Sequence, residues 1–293
     1  MEHIKNIDYI KNFIQHCVAV GLAQTTIDSY CYALKDFWQY LMRNKVEVVT
    51  DAIIENYFIY LRGKKYSPTT IRDKYSVLHA YYEYCVKQGY YTKSPVQIKK
   101  PKVNQQIRVF TDDEIIKMMQ HFKNRETFTQ IRDYTIICIL LSTGIRRSEL
   151  LGITNISDNA FVVVGKGNKQ RVVPISNTLK TVLKEYLPIR NKIACCPNLI
   201  ITKTGTPLTK NGLRAVFTRL SNACGIDGRR FCHSFRHYYA TKSLASGMDL
   251  QTLSHILGHS NISTTALYLH YSDVTAQAIN DRTNPLNIFL KLF

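Results

Sequence analysis

The chain has 293 residues, 39 Lys+Arg against 21 Asp+Glu for a net charge of +18, and 45% hydrophobic residues. That apolar fraction supports one large or two ordinary cores and excludes wholesale disorder, while the surplus of positive charge favours a polyanionic partner. The longest nearly uncharged apolar stretch, Tyr134 to Ile145, is too short for a membrane span, which needs roughly 18–20 residues, and the N-terminus MEHIKNIDYIKN has no apolar signal core.

The first hundred residues read as four helices. Ile7, Ile10, Ile14 and Val18 form one apolar stripe that ends at Gly21, and Ile27, Tyr30, Leu34, Phe37 and Leu41 form a second on a helix opening near Thr25 or Thr26 and closing before Asn44. A third helix is expected from Asp51 to Leu61 behind a Thr50 cap. A fourth starts at Ser67 with Pro68 at its first position, burying Ile71, Tyr75, Leu78, Tyr82 and Cys85. The spacing predicts a small bundle. Thirteen of the 19 tyrosines lie in this part, and Tyr81, Tyr82 and Tyr84 read as core and amphipathic surface rather than a base-stacking platform.

Residues 94–109, with two prolines, four basic residues and no acidic one, read as a basic linker between a helical domain at 1–93 and a second domain at 110–293. The second domain opens at a capping box, Thr111 with Glu114, on a helix reaching about Phe122. A buried helix through Arg132 to Ser142 follows, stopped by Gly144. Phe161–Val164 and Arg171–Ile175 read as a β-hairpin around the loop at 165–169, with a further strand at Leu199–Thr202 and helices after it. The expected class is therefore mainly α with a small β-sheet in the second domain. Residues 1–100 carry a net +5 and the remainder +13. The eight cysteines, with no C-x-x-C pair, read as reduced, mostly buried thiols.

Four basic clusters stand out in the second domain. In TGIRRSEL a glycine ends one helix and Arg146 opens the next, with Glu149 close enough to steady a guanidinium for bidentate phosphate binding. Lys166 sits on a glycine-flanked hairpin loop from which an ammonium can reach a leaving group. His233 and Arg236 in HSFRH lie at i and i+3 on one helical face. LGHSNISTT contains His259, nine residues before Tyr268. Each string taken alone is weak.

Their order and spacing together resemble the catalytic domain of the tyrosine recombinases, the phage integrase family. That pattern runs T-G-[LI]-R-x-S-E-L, G-K-G-x-K, H-x-[LF]-R-H, L-G-H and a tyrosine nine residues beyond the last histidine. The N-terminal bundle is similar to the family's core-binding, SAM-like domain, so the likeness spans nearly the whole chain and is nearest to the simple two-domain members, Xer-type and transposon-encoded. The resemblance implies that Arg146 and Arg236 clamp a scissile DNA phosphate and that Tyr268 attacks phosphorus to hold the 3′ end as a phosphotyrosine. It makes His233 the base, Lys166 the general acid with Lys169 as the alternative, and His259 a hydrogen-bond partner of the phosphate, with Glu149 orienting Arg146. No metal and no other cofactor is implied.

The same resemblance implies a C-shaped clamp on double-stranded core sites. It also implies a homotetramer closed by cyclic exchange of the C-terminal tail, residues 285–293, and possible dependence on an accessory protein or second recombinase. The chain begins almost directly with the bundle, so no extra arm-site domain is expected. The expected setting is the bacterial cytoplasm, on the nucleoid, away from membranes. Integration or excision of a mobile element, cointegrate resolution and replicon-dimer resolution stay open as roles. The rival readings are a type IB topoisomerase and a non-catalytic DNA-binding regulator of the same fold.

Overall fold

In the computed structural model the residues described are 2–102, 109–165, 169–226, 231–259 and 263–266. The chain divides into two compact units, Met1–Gln106 and Ile107–Phe293. Among the described residues no helix is long and apolar enough to cross a membrane.

The first unit contains helices α1 (Glu2–Ala19), α2 (Gln24–Arg43), α3 (Asp51–Gly63) and α4 (Pro68–Lys87). Helices α3 and α4 start behind the polar residues expected to cap them, Thr50 accepting from the Ile53 N–H and Ser67 from the Thr70 N–H, whereas α2 opens at Gln24, ahead of the expected Thr25 or Thr26, behind Ala23 and with no side-chain cap. The predicted face of α4 is buried along its whole length. In α1 the buried face differs from the expected one. Phe13 and Cys17 enter the core, Ile10 and Ile14 of the expected stripe pack against it half-buried, and Val18 is 59% exposed, so the buried face is centred on Phe13 and Cys17. Phe13 packs on Tyr30, Tyr81 and Tyr84, so the tyrosine-rich composition serves the core. Asp36 is half-buried beside two buried partners, accepting from Lys74 Nζ at 2.6 Å and from Tyr57 Oη at 2.9 Å. Val96 also lies in this core, so part of the proline-rich segment packs on the first unit.

The second unit contains α5 (Asp112–His121), α6 (Phe128–Thr143), α7 (Arg147–Leu151), β1 (Asn155–Ile156), β2 (Ala160–Val164), β3 (Gln170–Pro174), α8 (Asn177–Ile193), α9 (Lys210–Cys224), α10 (Phe231–Ala245), α11 (Leu250–Leu257) and α12 (Ser263–Ala266). The Thr111–Glu114 capping box is present. Helix α6 is apolar on nearly every side and runs through the core against α8 and α10, ending at Gly144, whose φ of +58° a side chain would strain. The sheet is antiparallel in the order β1-β2-β3, with Phe161 opposite Val173 and Val163 opposite Arg171. The third strand is therefore Asn155–Ile156, and the expected strand at Leu199–Thr202 is reduced to a single bridge between Ile201 and Pro207. Its backbone is instead engaged elsewhere, since Ile201 O accepts from Arg132 and Leu199 O from Tyr186. Only Cys17, Cys85 and Cys138 are buried, so the thiols are less sequestered than expected.

Candidate active site

Three of the expected site residues meet at the C-terminal end of α11. This helix stops at Gly258, which has φ +65°, and the last carbonyls of a helix lack partners within it. Each of the final three carbonyls is taken by a different arginine. Arg171 Nε donates to Ile256 O at 3.0 Å, Arg236 Nη2 to Leu257 O at 2.8 Å and Arg146 Nη2 to Gly258 O at 3.3 Å. The negative end of the helix dipole favours cations at this point. Arg236 is buried and also donates from Nη1 to Gly144 O at 3.0 Å, so it bridges the ends of α6 and α11.

Arg146 stands at the N-cap of α7, one residue beyond the turn that Gly144 and Ile145 make. Its backbone N–H donates to Glu149 Oε2 at 2.7 Å and its Nη1 to Oε1 at 2.9 Å. Glu149 is 1% exposed. Burial pushes its carboxyl upward, but hydrogen bonds from Arg171 and from the Arg146 backbone, together with the charge of Arg171, hold it down at about 2. The carboxylate is thus an anchored counter-ion, and part of Arg146 remains open, with its side chain 34% accessible.

His259 follows directly on α11. Its Nε2 lies 2.8 Å from Arg236 Nη2 and its Nδ1 lies 2.7 Å from Thr265 Oγ1 on α12. Burial first, then the charges of Arg236, Arg146 and Arg171, push His259 down to about 4 against the opposing effect of Glu149, so the imidazole is neutral at pH 7. His233 is exposed on α10, one turn before Arg236. It lines a cleft of about 530 Å³ with Arg147, Lys210 and Arg214 above a floor of Phe217 and Phe231. His237 on the same helix is half-buried and pushed down to about 4 by burial and then by the charges of His233 and Arg236. Lys166, Tyr268 and the tail at 285–293 lie outside the described residues; the described part of the hairpin closes with Gly165 N–H donating to Lys169 O at 2.8 Å.

The structure thus brings together Arg146, Glu149, Arg236 and His259 from three separate segments of the second unit. Two residues that the sequence reading did not single out complete the group. Arg171 is one, and its signal was available: strand period 2 puts it on the inward face with Val173, where a charged side chain needs a partner. Thr265 is the other, and it carries no local signal. Two guanidiniums and an imidazole around one point form a site for a tetrahedral oxyanion such as a phosphate. Among the described residues no group of three or more His, Cys, Asp or Glu side chains is placed to share a metal ion.

Comparison with known proteins follows the division of the chain. The phage integrase family model matches residues 108–274, and the model for the phage integrase N-terminal SAM-like domain matches residues 9–92. Tyrosine recombinase XerC of Staphylococcus aureus is 30% identical over 97% of each chain. XerC of Thermodesulfovibrio yellowstonii is 28% identical over 95% of this chain and 97% of its own. Among solved structures, the XerH site-specific recombinase bound to palindromic difH substrate, a post-cleavage complex, superposes with a TM-score of 0.70. It is 21% identical, covering 90% of this chain and 81% of that one.

Proposed function

The chain belongs to the phage integrase family of tyrosine recombinases, and from that premise we propose that Arg146, Arg236 and His259 hold the scissile phosphate of its DNA substrate. The chain is a site-specific recombinase, an enzyme that cuts and rejoins DNA. The observation that carries the residue assignment is the convergence of Arg146, Arg236 and His259 on the C-terminal turn of α11.

Residues 1–93 form the core-binding domain in this reading, and residues 110–293 the catalytic domain. Phosphodiesters break very slowly unaided, so the site must position the phosphate, neutralise charge on its non-bridging oxygens and protonate the departing oxygen. Arg146 and Arg236 supply the neutralisation with fixed forks of N–H donors, and Glu149 keeps the first of them in register. The phenol oxygen of Tyr268 attacks phosphorus as the bond to the 5′ oxygen breaks. The phenolic proton passes to His233, and Lys166 delivers a proton to the 5′ oxygen. The 3′ end then rests on Tyr268, conserving the bond until a second 5′ hydroxyl reverses the step. Exchange between two duplexes calls for four such sites, which a homotetramer closed by exchange of residues 285–293 provides on short inverted core sites. The work is cytoplasmic, and the moving of a mobile element or the resolution of joined replicons fits the chemistry equally.

A nicked suicide substrate tests the assignment. The wild-type chain is expected to form an SDS-stable covalent adduct with such DNA and Tyr268→Phe none, while both bind the duplex. An adduct formed by the Phe variant overturns Tyr268 as nucleophile, and one formed at the wild-type rate by Arg236→Ala overturns the phosphate site.

A further inference from the structure

Arg171 spends all three of its guanidinium nitrogens on protein groups. Nε donates to Ile256 O at 3.0 Å, Nη1 to Glu149 Oε1 at 2.6 Å and Nη2 to Glu149 Oε2 at 2.8 Å. Its side chain is 12% exposed, against 34% for Arg146. It leaves β3 in the inward phase, opposite Val163 and two residues before Val173, and both valines are fully buried. The planar fork of Arg171 thus faces a carboxylate of the protein, and a DNA phosphate has to be held by its neighbours.

Those neighbours are seated by what Arg171 touches. Glu149, which takes both prongs, also accepts from the backbone N–H and Nη1 of Arg146. Ile256 directly precedes Leu257 and Gly258, whose carbonyls hold Arg236 and Arg146. Against burial, which pushes the Glu149 carboxyl up, the hydrogen bonds and charge of Arg171 keep it ionised. We propose that Arg171 is a positioning residue for DNA cleavage, holding Arg146 and Arg236 in their productive geometry through Glu149 and the last turn of α11. This rests on the reading of Arg146 and Arg236 as the phosphate site. The same ion pair borders Gly165, which leads into the Lys166 loop: a Cβ there would stand 3.5 Å from Glu149 Oε1 and 3.7 Å from Arg171 Nη1. The phosphate site is the favoured target because Arg171 is hydrogen-bonded to the groups that seat it, whereas Gly165 only borders the pair.

Arg171→Lys keeps a cation beside Glu149, so the carboxylate is not stranded, but one ammonium cannot serve both carboxylate oxygens and Ile256 O. Single-turnover cleavage of the nicked suicide substrate at saturating protein is measured on three scissile linkages, beside Kd and the urea midpoint. The natural phosphodiester needs both charge neutralisation and a proton for the departing 5′ oxygen. A methylphosphonate, with a methyl group in place of one non-bridging oxygen, carries one negative charge fewer. A 5′-bridging phosphorothiolate needs no proton, because a thiol is far more acidic than an alcohol and departs as the thiolate. The Lys variant is expected to cleave the phosphodiester about 10²-fold more slowly than wild type, the scale for displaced reacting groups, with Kd unchanged. That deficit should shrink at least about tenfold on the methylphosphonate and persist in full on the phosphorothiolate. Gly258→Ala, whose Cβ would stand 2.9 Å from Arg171 Nη1, pushes on the same guanidinium and should give the same pattern. Wild-type cleavage of the phosphodiester by a folded Arg171→Lys overturns the proposal. So does a deficit equal on all three linkages, which a purely structural role gives, or one that shrinks on the phosphorothiolate instead, which assigns Arg171 to the Lys166 loop. Deficits of Arg146→Ala and Arg236→Ala that fail to shrink on the methylphosphonate would overturn the reading of the phosphate site itself.

Discussion

Arg171 and Glu149 meet as a two-pronged ion pair, Nη1 to Oε1 at 2.6 Å and Nη2 to Oε2 at 2.8 Å, inside the unit that carries the phosphate site. With Arg146 donating to both oxygens as well, all four acceptor positions of the carboxylate are filled. The pair ties β3 of the hairpin to α7, so the strand leading from the Lys166 loop and the helix opened by Arg146 share one anchor.

Removing the charge from that anchor leaves two guanidiniums facing a neutral amide that brings donors of its own. Glu149→Gln is therefore expected to destabilise the second unit by about 3–5 kcal/mol, the range for stranding buried charge. Urea unfolding followed by circular dichroism reads the loss, and an unchanged midpoint would show that Glu149 does not serve as the counter-ion.

Gly258 separates a backbone requirement from a steric one. It occupies φ +65°, and a Cβ placed there would stand 2.9 Å from both Cδ and Nη1 of Arg171. Arg171 has little room to retreat, being bonded to Glu149 and Ile256 O. Gly258→Ala should cost roughly 1–3 kcal/mol from the backbone strain and displace Arg171 from Glu149. Cleavage should fall further than stability explains when both are measured at a temperature where the variant is fully folded. Full activity in a folded variant would mean that Arg171 moves without consequence.

The helices were legible because their signals are local. Ile71, Tyr75, Leu78, Tyr82 and Cys85 repeat at helical spacing, and Thr50, Ser67 and Thr111 announce helix starts through bonds made within three residues. What escaped depends on distant packing. Phe13 rather than Val18 fills the α1 contact because of where Tyr30 and Tyr81 stand, and the backbone of Leu199–Thr202 is spent on Tyr186 and Arg132 instead of a strand partner. At the site, Arg146, Arg236 and His259 were legible as an ordered set of motifs. The three arginines sharing the last carbonyls of α11 were not, since that relation joins residues up to 112 positions apart. Arg171 was half legible, as an arginine in the inward phase of a strand.

His237 and His259 set the acid limit of stability. Both are held at about 4 in the folded chain, His259 by burial and the charges of three arginines, His237 by burial and the charges of His233 and Arg236. An unfolded histidine titrates near 6.5. Between these values the unfolded state binds more protons, so stability is complete above about pH 6.5 and declines as pH falls toward 4. Melting temperatures from pH 8 to 4 should show this decline, and a double variant, His237→Asn with His259→Asn, should flatten it. A wild-type profile level down to pH 4.5 would contradict the depressed values.

Arg236→Lys distinguishes charge from geometry at the phosphate. Lysine keeps the positive charge, but one ammonium on a flexible stem cannot reach Gly144 O, Leu257 O and His259 Nε2 as the planar fork does. Most of the affinity for a duplex comes from phosphate contacts spread along the backbone, so loss of one fork should change Kd only a few-fold at fixed salt. Transition-state charge on the scissile phosphate has no such reserve, and removal of one well-placed donor set costs about 10²–10³ in rate. Single-turnover cleavage should therefore fall by two to three orders of magnitude, on the order of 3–4 kcal/mol, while binding barely moves. If affinity and rate fell in parallel instead, Arg236 would be acting in DNA docking, and the neutralisation of the reacting phosphate would have to rest on Arg146.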